Sequence, residues 1–185
     1  MVHADYPWLT PKANEIIESK ISKEDIGLEY GSGRSTIWFA RRVAYLTSVE
    51  HNLFWFEKIK MNLEKNNQNN VNLIFNEVPK NSEYAKKRYV GIADNFPDRS
   101  LDFVLIDGLL RDECALKVLG KIKLGGILII DNINWYLPSY SIAPNSKTIE
   151  DGPASKNWKL LAEFLKHWRC LWTSSGVTDT AIYLK

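Results

Sequence analysis

The residues best suited to chemistry form a glycine-rich stretch between an apolar run and a predicted helix. Glu29 is followed by Gly31 and Gly33, and Ser35 stands where the helix begins. Gly31 can adopt backbone conformations that other residues avoid, and Gly33 lets a ligand approach the main chain closely. The free N–H groups of the first helical turn then point towards that ligand. A strand, a glycine turn and a helix N-terminus in this order favour a nucleotide-binding loop.

A second carboxylate lies where a doubly wound sheet binds ribose. Glu50 ends the next predicted strand, 19 residues after Gly31, and a carboxylate at about 20 residues accepts hydrogen bonds from ribose hydroxyls in that fold. The third glycine of the dinucleotide pattern is missing, because Ser35 and Thr36 stand near its place. Since Glu29 would repel a pyrophosphate, the stretch suits a ligand with a cationic, amino-acid end.

Three more polar residues follow later apolar runs. Asp107 comes after Leu101–Ile106, and Asp131 and Asn132 come after Ile127–Ile130. Open parallel sheets bind ligands outside the carboxyl ends of their strands, so we expect these side chains to lie at one edge. Two carboxylates and an amide oxygen suit a hard cation such as Mg²⁺. The alternative is that Asp107 orients a ligand while Asp131 and Asn132 cap the following loop.

Strands and helices alternate around these residues, which predicts an α/β fold with a doubly wound, mostly parallel sheet and helices on both faces. The chain closes with two strands around a Ser175-Gly176 turn, which predicts a C-terminal antiparallel hairpin. The predicted strands are about 26–30, 46–50, 71–76, 101–106, 127–130, 168–174 and 178–184. The predicted helices are about 10–21, 34–44, 52–66, 82–89, 110–122 and 155–167, with a turn at 123–126.

Length and composition predict one domain over residues 1–185. Hydrophobic residues make up 45% of the chain, enough for a substantial core. Residues 1–23 form an N-terminal aromatic segment and helix, and residues 133–154 form a long loop over the carboxyl edge of the sheet. A net charge of +2 is too small to indicate nucleic acid or a membrane surface.

Several motifs that the sequence lacks bear on where in the cell the protein is expected to be. Cys114 and Cys170 are far apart and lack metal-type spacing, so we expect reduced, buried thiols in a cytoplasmic protein. The segment Met1–Pro11 has no apolar core of a signal peptide. No apolar run approaches the roughly 20 residues of a membrane span, so we expect no membrane association.

The ordered set of motifs resembles the class I S-adenosylmethionine-dependent methyltransferases. The resemblance covers about residues 24–185. Its specific parts are Glu29–Gly33, Glu50, Ile106-Asp107, Leu124–Ile127 and the closing hairpin. It implies a seven-stranded sheet whose last strand is antiparallel and inserted between strands five and six. It also implies S-adenosylmethionine as the cofactor.

The resemblance further assigns roles to individual residues. The acidic residue and backbone of the glycine turn cradle the methionine portion of the cofactor, while Glu50 accepts hydrogen bonds from both ribose hydroxyls. Asp107 is the candidate catalytic residue, as the base that takes a proton from the acceptor. The implied cofactor-binding residues are Glu29, Gly31, Gly33, Ser35, Glu50, His51 and Asp107.

Asp107, Asp131 and Asn132 resemble the metal ligands of cation-dependent O-methyltransferases of the catechol and caffeoyl-CoA type. The resemblance implies a Mg²⁺ ion that lowers the pKa of the acceptor hydroxyl. The sequence departs from that pattern, because the first basic residue after Asp107 is Arg111, which stays protonated and cannot act as a base. We expect Arg111 to pair at the surface with Asp112, or with an anionic substrate group.

The implied function is O-methylation of a small molecule or a glycan-type acceptor. Asp107 is followed by Gly108-Leu109-Leu110, not by the Pro-Pro-aromatic segment of adenine amino-methyltransferases, and neither cysteine follows a proline. No basic patch with interleaved aromatic residues stands out, so nucleic acid is not expected. The N-terminal aromatic segment and the 133–154 loop are the parts available for an acceptor pocket.

Two other functions remain open on the sequence. The first alternative is a catalytically silent methyltransferase-like binding module, and the second is an NAD(P)-dependent oxidoreductase on a similar sheet. The position of Glu29 before the glycines, the missing third glycine and the closing hairpin count against the oxidoreductase.

Overall fold

Strands and helices alternate along residues 6–185, the part of the chain that the computed structural model describes. The strands are β1 (Ile26–Tyr30), β2 (Tyr45–Glu50), β3 (Val71–Phe75), β4 (Leu101–Ile106), β5 (Ile122–Asp131), β6 (Arg169–Ser174) and β7 (Asp179–Leu184). The α-helices are α1 (Pro11–Glu18), α2 (Arg34–Ala40), α3 (Leu53–Lys65), α4 (Glu83–Val90), α5 (Arg111–Val118) and α6 (Lys156–Leu165). Short 3₁₀ helices cover Gly91–Asn95 and Ile133–Trp135.

The seven strands form one sheet in the order β3-β2-β1-β4-β5-β7-β6. The pairs from β3 to β5 are parallel. Strand β7 lies between β5 and β6 and is antiparallel to both. The predicted doubly wound α/β fold with a C-terminal antiparallel hairpin is therefore confirmed, including the inserted last strand.

Apolar side chains on both faces of the central strands build the core. On β4, Phe103 and Leu105 pack on one face and Val104 and Ile106 on the other, and all four are buried. Such near-continuous apolar runs are typical of parallel strands covered by helices on both sides. Packing on both faces holds β1 and β4 side by side, so the turns that follow these two strands lie next to each other.

Side-chain caps define where several helices begin. Thr10 accepts a hydrogen bond from the N–H of Ala13 and Pro11 occupies the first helical position, as predicted. Asn52 caps α3 in the same way, by accepting from the N–H of Trp55. This cap places the start of α3 directly after β2, beside the end of the predicted nucleotide loop.

Four predicted boundaries are wrong. Helix α1 ends at Glu18, earlier than the expected residue 21, α2 ends at Ala40, earlier than residue 44, and α5 ends at Val118, earlier than residue 122. The predicted turn at 123–126 is part of β5, which begins at Ile122. The N–H of Gly125 donates to the carbonyl of Lys185 at 2.9 Å, so this segment is held in the sheet, and a register shift against β4 absorbs it.

The two cysteines differ in exposure. Cys114 is buried, as expected, but Cys170 is exposed, because β6 is the edge strand of the sheet. The segment after β5 is tied back through its backbone, since Lys147 donates to Asn134 at 2.7 Å and Ala154 to Tyr136 at 2.8 Å. Within residues 6–185 no helix is long and apolar enough to cross a membrane.

Candidate active site

The turn after β1 is built from two glycines that face each other across neighbouring strands. Gly31 has a φ of 96°, a conformation that side chains disfavour. A Cβ on Gly31 would lie 2.6 Å from the backbone nitrogen of Gly108, which follows β4. Sequence reasoning identified Gly31 but not Gly108, whose close approach depends on the pairing of β1 with β4.

Glu29 lies beneath this turn and is completely buried. Its carboxylate accepts hydrogen bonds from the hydroxyls of Ser35, Thr36 and Ser48, the last two at 2.6 and 2.5 Å. Burial raises the pKa of Glu29 from 4.5 to about 7, and the three hydroxyl hydrogen bonds oppose that shift. Through these hydrogen bonds Glu29, which lies beneath the turn, connects the start of α2 to β2.

Glu50 closes the turn from the β2 side and is 3% exposed. One carboxylate oxygen accepts from the N–H of Ser32 at 2.9 Å, and the other accepts from the N–H groups of His51 and Asn52 at 2.9 and 2.7 Å. The imidazole Nδ1 of His51 also lies 3.2 Å from Glu50. The oxygen bonded only to Ser32 keeps a free lone pair for a ligand hydroxyl.

A cavity of about 360 Å³ opens above the two glycines. Six of the predicted site residues line it, namely Gly31, Gly33, Ser35, Glu50, His51 and Asp107. Glu29, Asp131 and Asn132 do not line it. Glu50 and Asp107 approach the cavity from β2 and β4, on either side of β1, so the cavity has a carboxylate at each flank.

Asp107 follows β4, and about a third of its side chain is exposed. Its backbone N–H donates to the carbonyl of Tyr30 at 2.8 Å, which fixes it beside the glycine turn. Desolvation raises the pKa of Asp107, helped by the charges of Asp131 and Glu29, while the Arg111 guanidinium acts in the opposite direction.

Arg111 opens α5 and is directed back onto the strand ends, with 13% of its side chain exposed. The guanidinium donates to the carbonyls of Gly108, Asp107 and Asp131 at 3.0, 3.0 and 2.5 Å, and to the Asn132 amide oxygen at 3.1 Å. It also lies 3.0 Å from the Asp107 carboxylate. Every N–H of this guanidinium faces a protein oxygen, so it has no donor left for a substrate.

The expected pairing of Arg111 with Asp112 is therefore wrong. Asp112 instead accepts a hydrogen bond from the hydroxyl of Ser155 at 2.8 Å, which links α5 to the start of α6. Arg111 turns away from the surface because its main-chain partners lie just after β4 and at the end of β5, which no local sequence pattern reveals.

The proposed metal ligands are engaged within the protein and do not fit a Mg²⁺ site. The Asp131 carboxylate accepts from the hydroxyl of Thr180 at 2.7 Å. The Asn132 amide donates to Thr178 at 2.6 Å, and its oxygen faces the guanidinium described above. That guanidinium, already a cation, lies between Asn132 and Asp107. Residues 6–185 contain no group of three or more His, Cys, Asp and Glu side chains arranged to hold a metal.

Two tryptophans complete the wall of the cavity, and no local sequence pattern predicts the position of either. Trp8 precedes α1 and Trp55 lies in the first turn of α3; their rings meet edge-on with centroids 6.3 Å apart. Trp8 belongs to the N-terminal aromatic segment, which the sequence analysis names as available to form an acceptor pocket. Among the described residues of that segment, Trp8 lines the cavity.

The geometry suits a ligand with ribose hydroxyls and a cationic amino-acid end. The free acceptor site of Glu50 fits a hydroxyl, and the Asp107 carboxylate at the other flank fits positive charge. Gly33 has extended backbone, and a Cβ there would meet only the Ser35 hydroxyl, at 3.8 Å. The glycine thus leaves open space in the wall of the cavity, as a closely bound ligand requires.

No protein-family model and no curated protein sequence matches the chain. Several solved structures, in contrast, match the chain in fold. A proposed caffeoyl-CoA O-methyltransferase from Staphylococcus aureus matches with a TM-score of 0.66 and 17% identity over 97% of this chain and 85% of that chain. An rRNA methylase from Streptococcus thermophilus matches with a TM-score of 0.64 and 10% identity over 100% and 98% of the two chains.

A third structure, an S-adenosylmethionine-dependent methyltransferase from Aquifex aeolicus, matches with a TM-score of 0.56 and 12% identity over 97% of this chain and 93% of that chain. At such identities the likeness bears on architecture alone. Together with the strand order and the inserted antiparallel β7, it shows that the chain has the class I methyltransferase fold.

Proposed function

We propose that the protein is an S-adenosylmethionine-dependent methyltransferase that methylates an oxygen of a small-molecule or glycan-type acceptor. The observation that carries this proposal is the pair of carboxylates, Glu50 and Asp107, on opposite flanks of one cavity above the Gly31–Gly108 contact. A ribose and a cationic amino-acid end at opposite ends of one ligand match this arrangement.

Each contact has a defined task in this proposal. Glu50 accepts a hydrogen bond from the ribose through the oxygen that holds only the Ser32 N–H. Gly31 and Gly33 let the ligand lie against the backbone of the turn. Glu29 acts as a positioning residue, because all of its hydrogen bonds join α2 to β2 and it does not line the cavity.

S-adenosylmethionine, when bound, supplies a methyl group already activated by the sulfonium, so the protein mainly aligns the reacting atoms. Asp107 would accept the proton that the acceptor hydroxyl loses when it is methylated. The raised pKa of Asp107 suits a proton acceptor that works near neutral pH. Its partial exposure leaves the carboxylate accessible from the cavity.

Oxygen as the methylated atom is supported by the Asp107 carboxylate at the cavity and by the similarity in fold to a protein named as an O-methyltransferase. The fold similarity to an rRNA methylase leaves a nucleic-acid acceptor as the competing assignment.

The direct test is calorimetric titration with S-adenosylhomocysteine and, separately, with NADH. We expect micromolar binding of the first and none of the second. The variant Gly33→Val should abolish binding yet retain the wild-type unfolding temperature within a few degrees, because the backbone there is extended and open. Binding of NADH alone would overturn the proposal in favour of the oxidoreductase.

Transfer of a radiolabelled methyl group separates an enzyme from a silent binding module. The purified protein is incubated with labelled cofactor and a panel of hydroxyl-bearing small molecules and glycans. We expect label in an acceptor, and loss of that label in Asp107→Asn when it is assayed at cofactor concentrations that saturate the variant. Tight cofactor binding without transfer to any acceptor class would support the silent module.

A further inference from the structure

A second cavity, also of about 360 Å³, adjoins the first between α2 and α3. The two cavities share Trp8, Arg34 and Trp55 in their walls. The second is further lined by Arg41 and Lys58, by two asparagines of α3 and its C-cap, and by two isoleucines at its base. A molecule that enters one cavity can therefore reach the other across the tryptophan pair.

The cationic side chains of the second cavity have no acidic partners among the residues that the structure describes. Outside this cavity, many lysines and arginines of residues 6–185 form ion pairs with carboxylates, as Arg42 does with Glu18. Arg34, Arg41 and Lys58 form no ion pair with any residue in that range, and no carboxylate of that range lines the cavity. Arg41 only approaches the amide oxygen of Asn66, at 3.4 Å. The three cations therefore create an uncompensated positive potential around one concave site.

Aromatic faces position two of these cations. The Arg34 guanidinium carbon lies 5.2 Å from the centre of the Trp8 ring, and the Lys58 ammonium lies 4.3 Å from that of Trp55. Such contacts restrain a cation without neutralising its charge or occupying its N–H donors. The donors remain available to a phosphate, which arginine and lysine both bind well.

We propose that this second cavity binds a phosphate or diphosphate group carried by a small-molecule acceptor. The proposal rests on the proposed methyltransferase function, since the cavity is assigned to the acceptor because it adjoins the cofactor cavity. Trp8, with 65% of its surface exposed, then covers the acceptor at the shared wall. The acceptor's hydroxyl-bearing part extends towards Asp107 in the first cavity.

The surroundings favour a small ligand over RNA. The adjacent outer face of α3 presents Leu53, Phe54 and Met61, which are 57%, 72% and 67% exposed. A nucleic-acid backbone leaving the cavity along α3 would cross these apolar side chains and Glu57, and among the described residues that line this face it would meet one further cation, Lys65. The three cations around the second cavity thus suit one or two phosphates better than a long polyanion.

Fluorescence titration with inorganic pyrophosphate tests the proposal; the signal is the change in total tryptophan emission, to which Trp8 and Trp55 contribute from the cavity wall. We expect saturable binding that weakens as salt is raised, because the cations are exposed to solvent. The double variant Arg41→Gln/Lys58→Gln should bind pyrophosphate about tenfold more weakly. The charge-matched control Lys60→Gln/Lys80→Gln, outside the cavity, should change affinity less than about twofold.

Calorimetry of the same variants with S-adenosylhomocysteine keeps the two proposals separate. Unchanged cofactor binding together with weakened pyrophosphate binding supports the acceptor site. Pyrophosphate binding in a protein that binds no cofactor would refute the methyltransferase assignment and retain the anion site. Absence of pyrophosphate binding at millimolar concentration would overturn the anion site, as would a single-stranded RNA that binds through Arg41 and Lys58 far more tightly than pyrophosphate.

Discussion

Gly31 and Gly108 touch through their backbones, and neither position has room for a side chain. A Cβ on Gly31 would lie 2.6 Å from the backbone nitrogen of Gly108, and a Cβ on Gly108 would lie 2.9 Å from that of Gly31. The turns after β1 and β4 therefore meet without intervening side chains. This contact sets the base of the cavity and the distance between its two carboxylate flanks.

Alanine at Gly108 should destabilise the fold by about 1–3 kcal/mol through overpacking, as measured by urea unfolding. Alanine at Gly31 should cost more, because its φ of 96° adds backbone strain to the steric clash. Gly125 is the matched control, since its φ is 83° but a Cβ there meets nothing within 4 Å. Equal losses at Gly31 and Gly125 would show that the contact with Gly108 is unimportant.

The buried Glu29 should make stability depend on pH. Unfolding lowers its pKa from about 7 back to 4.5, so the folded chain binds more protons between these values. Its contribution is most favourable below about pH 4.5 and is lost as the pH rises towards 7. Relative to Glu29→Gln, the wild type should lose about 3 kcal/mol of unfolding free energy between pH 4.5 and 8.

The comparison is made by urea unfolding of both proteins across that pH range, because other carboxylates titrate equally in each. Glutamine keeps the size of the side chain and can still bond to the hydroxyls of Ser35, Thr36 and Ser48. A difference between the two proteins that stays constant with pH would contradict the raised pKa.

Replacement of Glu50 by glutamine should weaken S-adenosylhomocysteine binding by about 1.5–3 kcal/mol, the range for hydrogen bonds to a charged group. The reason is that an amide provides one acceptor oxygen where the carboxylate provides two, and the N–H groups of Ser32, His51 and Asn52 already compete for them. Calorimetry measures the change. Glu163→Gln, which loses only an exposed pair with Lys166, is the control; equal affinities for both variants would remove Glu50 from the site.

Removal of the Arg111 guanidinium should loosen the ends of β4 and β5. We expect Arg111→Met to lower the unfolding free energy by about 2–4 kcal/mol, because it leaves the partly buried carbonyls of Asp107 and Asp131 without this donor. Circular dichroism during urea unfolding measures the loss. Arg169→Met, on the exposed start of β6, is the control and should change stability by less than about 0.5 kcal/mol.

The same arginine predicts that methyl transfer is insensitive to chelators, since it lies where the metal hypothesis placed a cation. Calorimetric titration of the wild type with Mg²⁺ should show no site at Asp107, Asp131 and Asn132. Loss of activity in chelator, restored by Mg²⁺ and abolished by Asp131→Ala, would contradict this prediction and reinstate the metal.

Local sequence patterns were enough to predict the helices, the strands and many of the residues that form the first cavity. Glu29, Gly31, Gly33 and Glu50 stand at strand ends and a turn, where the order of residue types along the chain determines position. The inserted β7 came from the resemblance to a known fold, because a hairpin signal alone does not say which strand it pairs with.

The remaining parts of the site depend on contacts between distant segments. Nothing near Arg111 in sequence indicates that its guanidinium binds oxygens of Asp107, Asp131 and Asn132. The hydroxyls that surround Glu29 come from two different elements. Trp8 and Trp55 meet only because α1 and α3 pack on the same side of the sheet, and so the shared wall of the two cavities was not predicted.

The position of β7 also has a consequence for synthesis on the ribosome. Strand β5 pairs with β7 through Ile127–Asp131, yet β7 is translated only after the whole segment that contains α6 and β6. Until then the nascent chain carries an apolar β5 with one unpaired edge, which is prone to pairing with other chains. Codon changes or fusions that delay release of Asp179–Leu184 should therefore increase aggregation during expression without altering the finished protein.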